Sequence, residues 1–371
     1  MNNLLALLQQ NNAIPFHMPG HKRNALLGDA LPYALDVTEI GGFDNLHAPM
    51  GVILDIMERA RALWGSDGAY LGVNGSTGML LAGIRAMTAR GDKILCARNC
   101  HMSVFHAMEL CGLRPVFLEP VWLPGWGIYG QITQQTFDEA RANHPDATLC
   151  VITSPTYEGV VSDIETDMPM LVDAAHGAHL PLPRADIAVQ SLHKTLPALT
   201  QTSLLHVQGD RVDRKRLEHQ LRIFQTSSPS YVLLASIGEC VRLLEEHRAE
   251  WFAAWERRLD AFCAHGREWQ KLKLFQPDDR SKLLIKCDAQ VALEHLRERG
   301  IEPEYACGNR LLLMTGCCDT DEMIARLTEA LDAFDRAAGP APACMEKPAR
   351  GDADRGYPVC CASQNFPCAA K

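Results

Sequence analysis

The stretch VQSLHKTLPALTQT, Val189 to Thr202, puts Lys194 directly after His193 and three residues after Ser191, at the end of an apolar run. A lysine where a buried strand ends either carries its ammonium out to water or is held for chemistry. Another costly residue lies one strand earlier. In MLVDAAHGAHL, Met170 to Leu180, Asp173 closes an apolar run, where a carboxylate is expensive to bury unless paired. Further upstream, GVNGSTGMLLAG, Gly72 to Gly83, ends a strand in glycines and hydroxyls and opens a helix. The free N–H groups of that helix, with Ser76 and Thr77, suit a phosphate; a serine N-cap accounts for the same residues equally well.

An amine and a carboxylate at the ends of neighbouring strands, with an anion site on the same edge, match the needs of pyridoxal 5′-phosphate. The lysine forms a Schiff base with its aldehyde, the acid pairs with the pyridine nitrogen, and a helix N-terminus takes the phosphate. A structural ion pair between Asp173 and Lys194 is the plainer alternative. In RNCHMSVFHAM, His101 follows the apolar strand ILCA and opens a helix. A neutral imidazole there can stack on a flat ring, or simply cap the helix.

Those residues need a scaffold that brings strand ends together. Short β-rich runs alternate with helical patterns from about residue 69 to 207: AYLGV, DKILCA, RPVFLE, ATLCVIT, MPMLVD, ADIAVQS and TSLLHV. Near-continuous apolar strands separated by helices predict an α/β fold, with a mostly parallel sheet covered on both faces and a ligand site at the strand C-termini. Ser228-Pro229 reads as an N-cap and first helical residue opening a helix to about His265. Beyond it, LLIKCD, residues 290–299, NRLLLMT and a helix from Asp319 or Thr320 predict a smaller α+β domain. The organisation expected is an N-terminal segment 1–45 with a short amphipathic helix, a large domain 46–240, a linking helix with the small domain 241–338, and an irregular tail 339–371.

A net charge of −9 argues against nucleic acid or an anionic membrane as partner, and no stretch is long and apolar enough to span a bilayer. The start of the chain lacks the features of a signal peptide, so a cytoplasmic protein is expected. Fourteen cysteines, scattered through apolar segments such as those of Cys96, Cys150, Cys240 and Cys287, read as reduced, small hydrophobes. The pairs Cys317-Cys318 and Cys360-Cys361 lack zinc spacing, and neither His17/His21 nor His176/His179 has a carboxylate or thiol to complete a set, so no metal is expected.

FHMPGHK (16–22), DVTEI (36–40), VNGSTGMLLA (73–82), RNCHMSV (98–104), DAAHGAH (173–179), QSLHKTLPALTQTSLLH (190–206) and TSSPSY (226–231) occur in one order. In that order the chain resembles the Orn/Lys/Arg decarboxylase family of fold-type I pyridoxal phosphate enzymes, over roughly residues 14–240. The resemblance implies Lys194 as the Schiff-base lysine, Asp173 on the pyridine nitrogen and His101 stacked on the ring. It implies Ser76, Thr77, Ser191 and His193 about the phosphate, and Ala175 and His176 against the cofactor. It further implies a homodimer, with Thr226, Ser227 and Ser228 reaching the phosphate of the neighbouring subunit. The chain departs from the family at Met102 in HMS and Ala174 in DAAHGAH, in a shorter segment between His179 and Asp186, and in a much reduced C-terminal region.

The reaction so implied is decarboxylation of a basic amino acid to an amine and CO₂. Transamination or elimination would use the same apparatus, and a binding protein without turnover would keep it. A basic side chain needs an acid, for which Glu39 and Asp44 stand near the HMPGHK segment; His17, His21 and Lys22 would bind the substrate carboxylate or brace that loop.

Overall fold

The computed structural model describes residues 3–19, 21–339 and 341–343; most of the expected tail, with Cys360-Cys361, lies outside them. The chain opens with α1 (Leu4–Gln10), whose Leu4 and Leu8 are buried, then runs as a long loop to α2 (Val52–Trp64). The first βα units follow: β1 (Gly68–Gly72), α3 (Gly75–Met87), β2 (Lys93–Ala97), α4 (Met102–Cys111) and β3 (Arg114–Leu118). A hairpin of β4 (Trp122–Leu123) and β5 (Ile128–Tyr129) leads through α5 (Gln134–Asn143) into β6 (Ala147–Thr153), β7 (Met170–Asp173) and β8 (Ile187–Ser191). One helical turn, α6 (Leu192–Thr195), precedes β9 (Ser203–Val207) and α7 (Arg214–Phe224).

These strands form a seven-stranded sheet in the order β1-β9-β8-β7-β6-β2-β3. The pairs from β8 to β3 are parallel, whereas β9 runs antiparallel to both β1 and β8. The expectation of a mainly parallel covered sheet is met. Ile94, Leu95, Cys96 and Ala97 are all buried, as a strand between two helical layers requires.

The 36-residue α8 (Tyr231–Gly266) joins the two parts of the molecule. It begins later than expected, because Ser230 caps it through Leu233 N–H while Ser228 N–H is taken by Thr226 Oγ1 at 3.2 Å. Its first half buries Leu234, Ile237 and Val241, and its second half buries Trp255, Leu259 and Phe262. The residue 240 at which two domains were divided therefore lies inside a continuous helix. The smaller sheet, ordered β10 (Lys273–Leu274), β11 (Lys282–Lys286), β13, β12, is antiparallel. Its other parts are α9 (Ala289–Arg297), β12 (Tyr305–Cys307), β13 (Arg310–Met314) and α10 (Asp321–Ala337). One apolar core runs from α1 and α2 through α8 into this small sheet, and another fills the far face of the large sheet. Cys96, Cys100, Cys111, Cys150, Cys240, Cys263, Cys287 and Cys317 are buried free thiols, and Cys318 is an exposed one.

Asp44, proposed above as an acid for a basic substrate, is turned toward its own backbone. Its carboxylate accepts the N–H groups of Asn45 (2.9 Å), Met50 (2.9 Å), Gly51 (2.8 Å) and Ile53 (2.9 Å), serving the start of α2, where Gly51 has no side chain to cap with. Partial burial works to raise its pKa, but the four N–H groups prevail and hold it below the ordinary 3.8. We expect Asp44→Ala to lower stability by about 1–2 kcal/mol, seen as a fall in the urea midpoint at neutral pH. Because the folded-state pKa is depressed, the stabilisation is present above the unfolded value. It is lost as pH falls through the folded value, so parent and variant converge in acid.

Candidate active site

The parallel neighbours β7 and β8 end side by side, with Asp173 in register with Val189. Ser191 closes β8, and the single turn of α6 then folds Lys194 back over the strand ends. Its Nζ lies 2.9 Å from Nε2 of His176, a residue of the tight turn that follows β7. Asp173 is 2 % exposed, and its Oδ1 accepts the Ala175 N–H at 3.1 Å. Ala174 and Ala175 are buried beside it.

Burial governs the charges here. It pushes the Lys194 amine below its ordinary pKa, against the pull of Asp173, and the second cation Lys282 pushes the same way. It raises the Asp173 carboxyl, opposed by the fields of His101 and Lys194. It also lowers His101, and it lowers His176 well below the usual imidazole range, with Lys194 adding to the effect. The amine's hydrogen-bond partner is thus an imidazole whose own charging is disfavoured by burial. Nδ1 of His176 is buried without a partner. The tautomer that donates Nε2–H to a neutral amine leaves only a lone pair unmatched there, the cheaper of the two arrangements.

His101 caps α4, its Nδ1 accepting the Ser103 N–H at 3.1 Å, and it lies within the fields of Asp173 and Lys194. Capping and nearness to the site are therefore compatible: the bonds to Ser103 fix the ring at the start of α4.

The anion corner lies at the start of α3. Ser76 Oγ and Ser191 Oγ are 2.6 Å apart, joining the helix start to the end of β8. Ser76 is the second residue of this 13-residue helix rather than its cap, and Asn74, which occupies the cap position, makes no side-chain bond to the helix. Gly75, at φ +67°, has open space beside it. Thr77 is exposed on the first turn. Nearby, His193 Nδ1–H donates to the Thr202 carbonyl at 3.0 Å, which fixes its ring. An uncapped helix start with two hydroxyls and a clear approach fits a phosphate.

Other residues singled out in the sequence lie elsewhere. Thr226 and Ser227 are in the exposed loop between α7 and α8, where the Thr226 carbonyl accepts from His47 Nε2 at 2.8 Å. Among the described residues no hydrogen bond joins that loop to Ser76, Ser191 or Lys194. His21 pairs with Asp36 at 3.0 Å and leans on Tyr33, while Lys22 Nζ donates to the His17 carbonyl, so these residues brace their own loop. Glu39 sits beside Tyr231, with Oε1 buried and unpartnered.

A second buried lysine was not anticipated. Lys282 opens β11 with its side chain wholly buried, bonded to Asp279 Oδ2 (3.1 Å) and Ser281 Oγ (2.7 Å); Asp279 Oδ1 meets His179 Nε2 at 2.9 Å. Burial works against the Asp279 charge, but His179 and Lys282 hold its pKa far below the usual carboxylate range. The sequence signal was the one Lys194 gives, a lysine at the edge of an apolar strand, but FQPDDRSK reads as a linker. The loop after β6 also reaches the site. The Tyr157 ring packs on His176 at 4.5 Å, and its hydroxyl donates to Glu304 of the small domain.

A large sheet with one reversed strand, a lysine and an acid at its edge and a small domain against that edge together define a fold-type I, pyridoxal phosphate-dependent transferase-like architecture. Lysine decarboxylase LdcF of Francisella novicida superposes with a TM-score of 0.77 at 21% identity, covering 90% of this chain and 60% of that one. Serine palmitoyltransferase of Sphingomonas wittichii gives 0.64 at 16%, covering 78% and 77%. Both likenesses concern the fold. The chain belongs to the Orn/Lys/Arg decarboxylase family, whose major-domain model matches residues 3–254. It is 31% identical to an arginine decarboxylase of Halalkalibacterium halodurans over 371 aligned positions, 87% of this chain and 74% of that one. It is 40% identical to the uncharacterized protein YaaO of Bacillus subtilis over 272, covering 66% of this chain and 56% of that protein, little more than half its length.

Removing one partner of a fully buried ion pair leaves the other charge stranded. We expect Lys282→Met to destabilise the protein by about 3–5 kcal/mol in urea unfolding, and the double variant Lys282→Met/Asp279→Leu to recover part of that loss.

Proposed function

We propose that the protein is a pyridoxal phosphate-dependent decarboxylase of basic amino acids, releasing CO₂ and the corresponding amine, and that it works as a homodimer. The observation that carries the reading is the desolvated Lys194 amine, held on neutral His176 at 2.9 Å above the buried Asp173. Lowering the pKa of an amine so placed enlarges its unprotonated fraction, the form that attacks an aldehyde. Family membership, and relatives named arginine and lysine decarboxylases, support the reaction class.

In this reading the phosphate is held by Ser76, Thr77, Ser191, His193 and the free N–H groups of α3. Asp173 would hold the proton of the ring nitrogen, and His101 and Ala175 would contact the ring. When bound, pyridoxal phosphate supplies the electron sink for the pair left on Cα as the carboxylate departs. The protein supplies everything else. Asp173, buried among opposing charges, keeps the ring end of the pocket polarised without water. His176 would hold its Nε2 proton on Lys194 Nζ and keep the amine positioned toward the aldehyde carbon. The buried walls from Ala174 to His176 exclude water from the reacting bonds. The exposed Thr226–Ser227 loop makes no bond to the anion corner of its own chain; in the dimer it serves the corner of the other subunit.

The expected result is CO₂ release from lysine, ornithine or arginine by the cofactor-loaded protein. Borohydride reduction followed by peptide mapping should label Lys194. Lys194→Ala should abolish turnover, and Asp173→Asn should lower kcat at least about 100-fold with folding intact. A keto acid product, or label on a different lysine, would refute the assignment.

A further inference from the structure

This inference rests on the decarboxylase reading and concerns how the substrate side chain is recognised. If its amine binds at Lys194, its distal cation must meet an acid within the reach of an extended lysine or arginine side chain. Of the two acids expected from sequence, Asp44 is committed to four backbone N–H groups. Glu39 lies beside Tyr231 with Oε1 buried, and among the described residues no hydrogen bond joins it to Lys194 or His176.

A continuous set of contacts leads instead to the small domain. Lys194 touches His176, the His176 ring packs on Tyr157 at 4.5 Å, and the Tyr157 hydroxyl donates to the Glu304 carboxylate. Glu304 is exposed just before β12, and its N–H is tied to the Leu312 carbonyl at 2.9 Å, which anchors it to the sheet. Its bond to Tyr157, whose ring packs on His176, places it beside the site, and its field is felt at Lys194 and Lys282. The nearby cations are already engaged, Lys282 with Asp279 and Arg310 with the Gly127 carbonyl. The other acid of this wall, Glu158, accepts from Tyr305 at 3.3 Å and is pushed by burial toward its neutral form. His176, 5 % exposed and with Nδ1 unpartnered, lines the same wall.

We propose that Glu304, oriented by the Tyr157 hydroxyl, receives the ammonium or guanidinium of the substrate side chain and selects basic amino acids. Loss of one charge-assisted contact should weaken binding of the basic side chain about 10- to 100-fold and leave an uncharged isostere untouched. The test uses the cofactor-loaded full chain and Glu304→Gln, with lysine, ornithine, arginine and norleucine titrated against the visible absorbance of the protein. The expected result is that loss for the basic ligands and unchanged norleucine binding, the most weakened basic ligand identifying the preferred substrate. A second measurement needs no cofactor. The pH dependence of Lys194 modification by an amine reagent, read by mass spectrometry, should shift to lower pH in Glu304→Gln. Basic-ligand affinity within twofold of the parent, or an equal loss for norleucine, overturns the assignment of Glu304 while leaving the decarboxylase reading intact. A parent that releases no CO₂ from any basic amino acid overturns both.

Discussion

The structure depends on keeping an amine and a carboxylate out of water at one sheet edge without letting them merely neutralise each other. Desolvation disfavours both charged forms, which is why Lys194 is lowered and Asp173 raised. A simple buried ion pair would resolve this by tight contact, and it would leave the amine protonated and inert. Here the amine's hydrogen-bond partner is instead an imidazole, and Asp173 spends an oxygen on the Ala175 N–H. The two groups are near enough for each to act on the other's charge without a hydrogen bond between them.

That edge is shared between the two parts of the chain through one short turn. His176 and His179 lie three residues apart after β7; the first meets Lys194 and the second meets Asp279. The turn thus ties the amine to a buried ion pair at the entrance of β11. Gly159 shows how closely the parts fit. At φ +89° it allows the loop carrying Tyr157 to pass against Asp279, where a Cβ would lie 2.8 Å from the Asp279 carbonyl. Any movement of the small domain therefore moves Tyr157 and the imidazole holding Lys194. The continuous α8, buried at both ends, resists such movement.

Much of this was legible in the chain because buried parallel strands advertise themselves. ATLCVIT, MPMLVD and ADIAVQS are apolar almost without interruption, and a polar residue at the end of such a run marks the sheet edge. Asp173 and Lys194 stand out for that reason, as does the glycine-hydroxyl turn before α3. What stayed hidden was set by tertiary contact. Nothing local distinguishes Asp44 as a four-fold acceptor from Asp44 as a free loop acid, because its partners reach to Ile53. The start of α8 lies later because Ser230, not Ser228, accepts a first-turn N–H, that of Leu233, a choice between nearby serines that composition does not rank. Lys282 was masked by the charged linker before it, and Glu304 looks like any exposed acid until the fold brings it to Tyr157.

The division of labour between the two parts follows from the same electrostatics. Along the large-sheet edge the side chains available near Lys194 are a buried acid on which Lys194 and His101 already act, and imidazoles whose pKa burial lowers. An acid added there to meet a distal cation would raise the Lys194 pKa and undo the desolvation that makes the amine reactive. An acid on the small domain, exposed to solvent and held off by the Tyr157 ring, interacts with that amine through a more screened path. Chemistry and selection can then sit in one pocket on different elements, the sheet edge tuning the amine and the β12 strand presenting the acid.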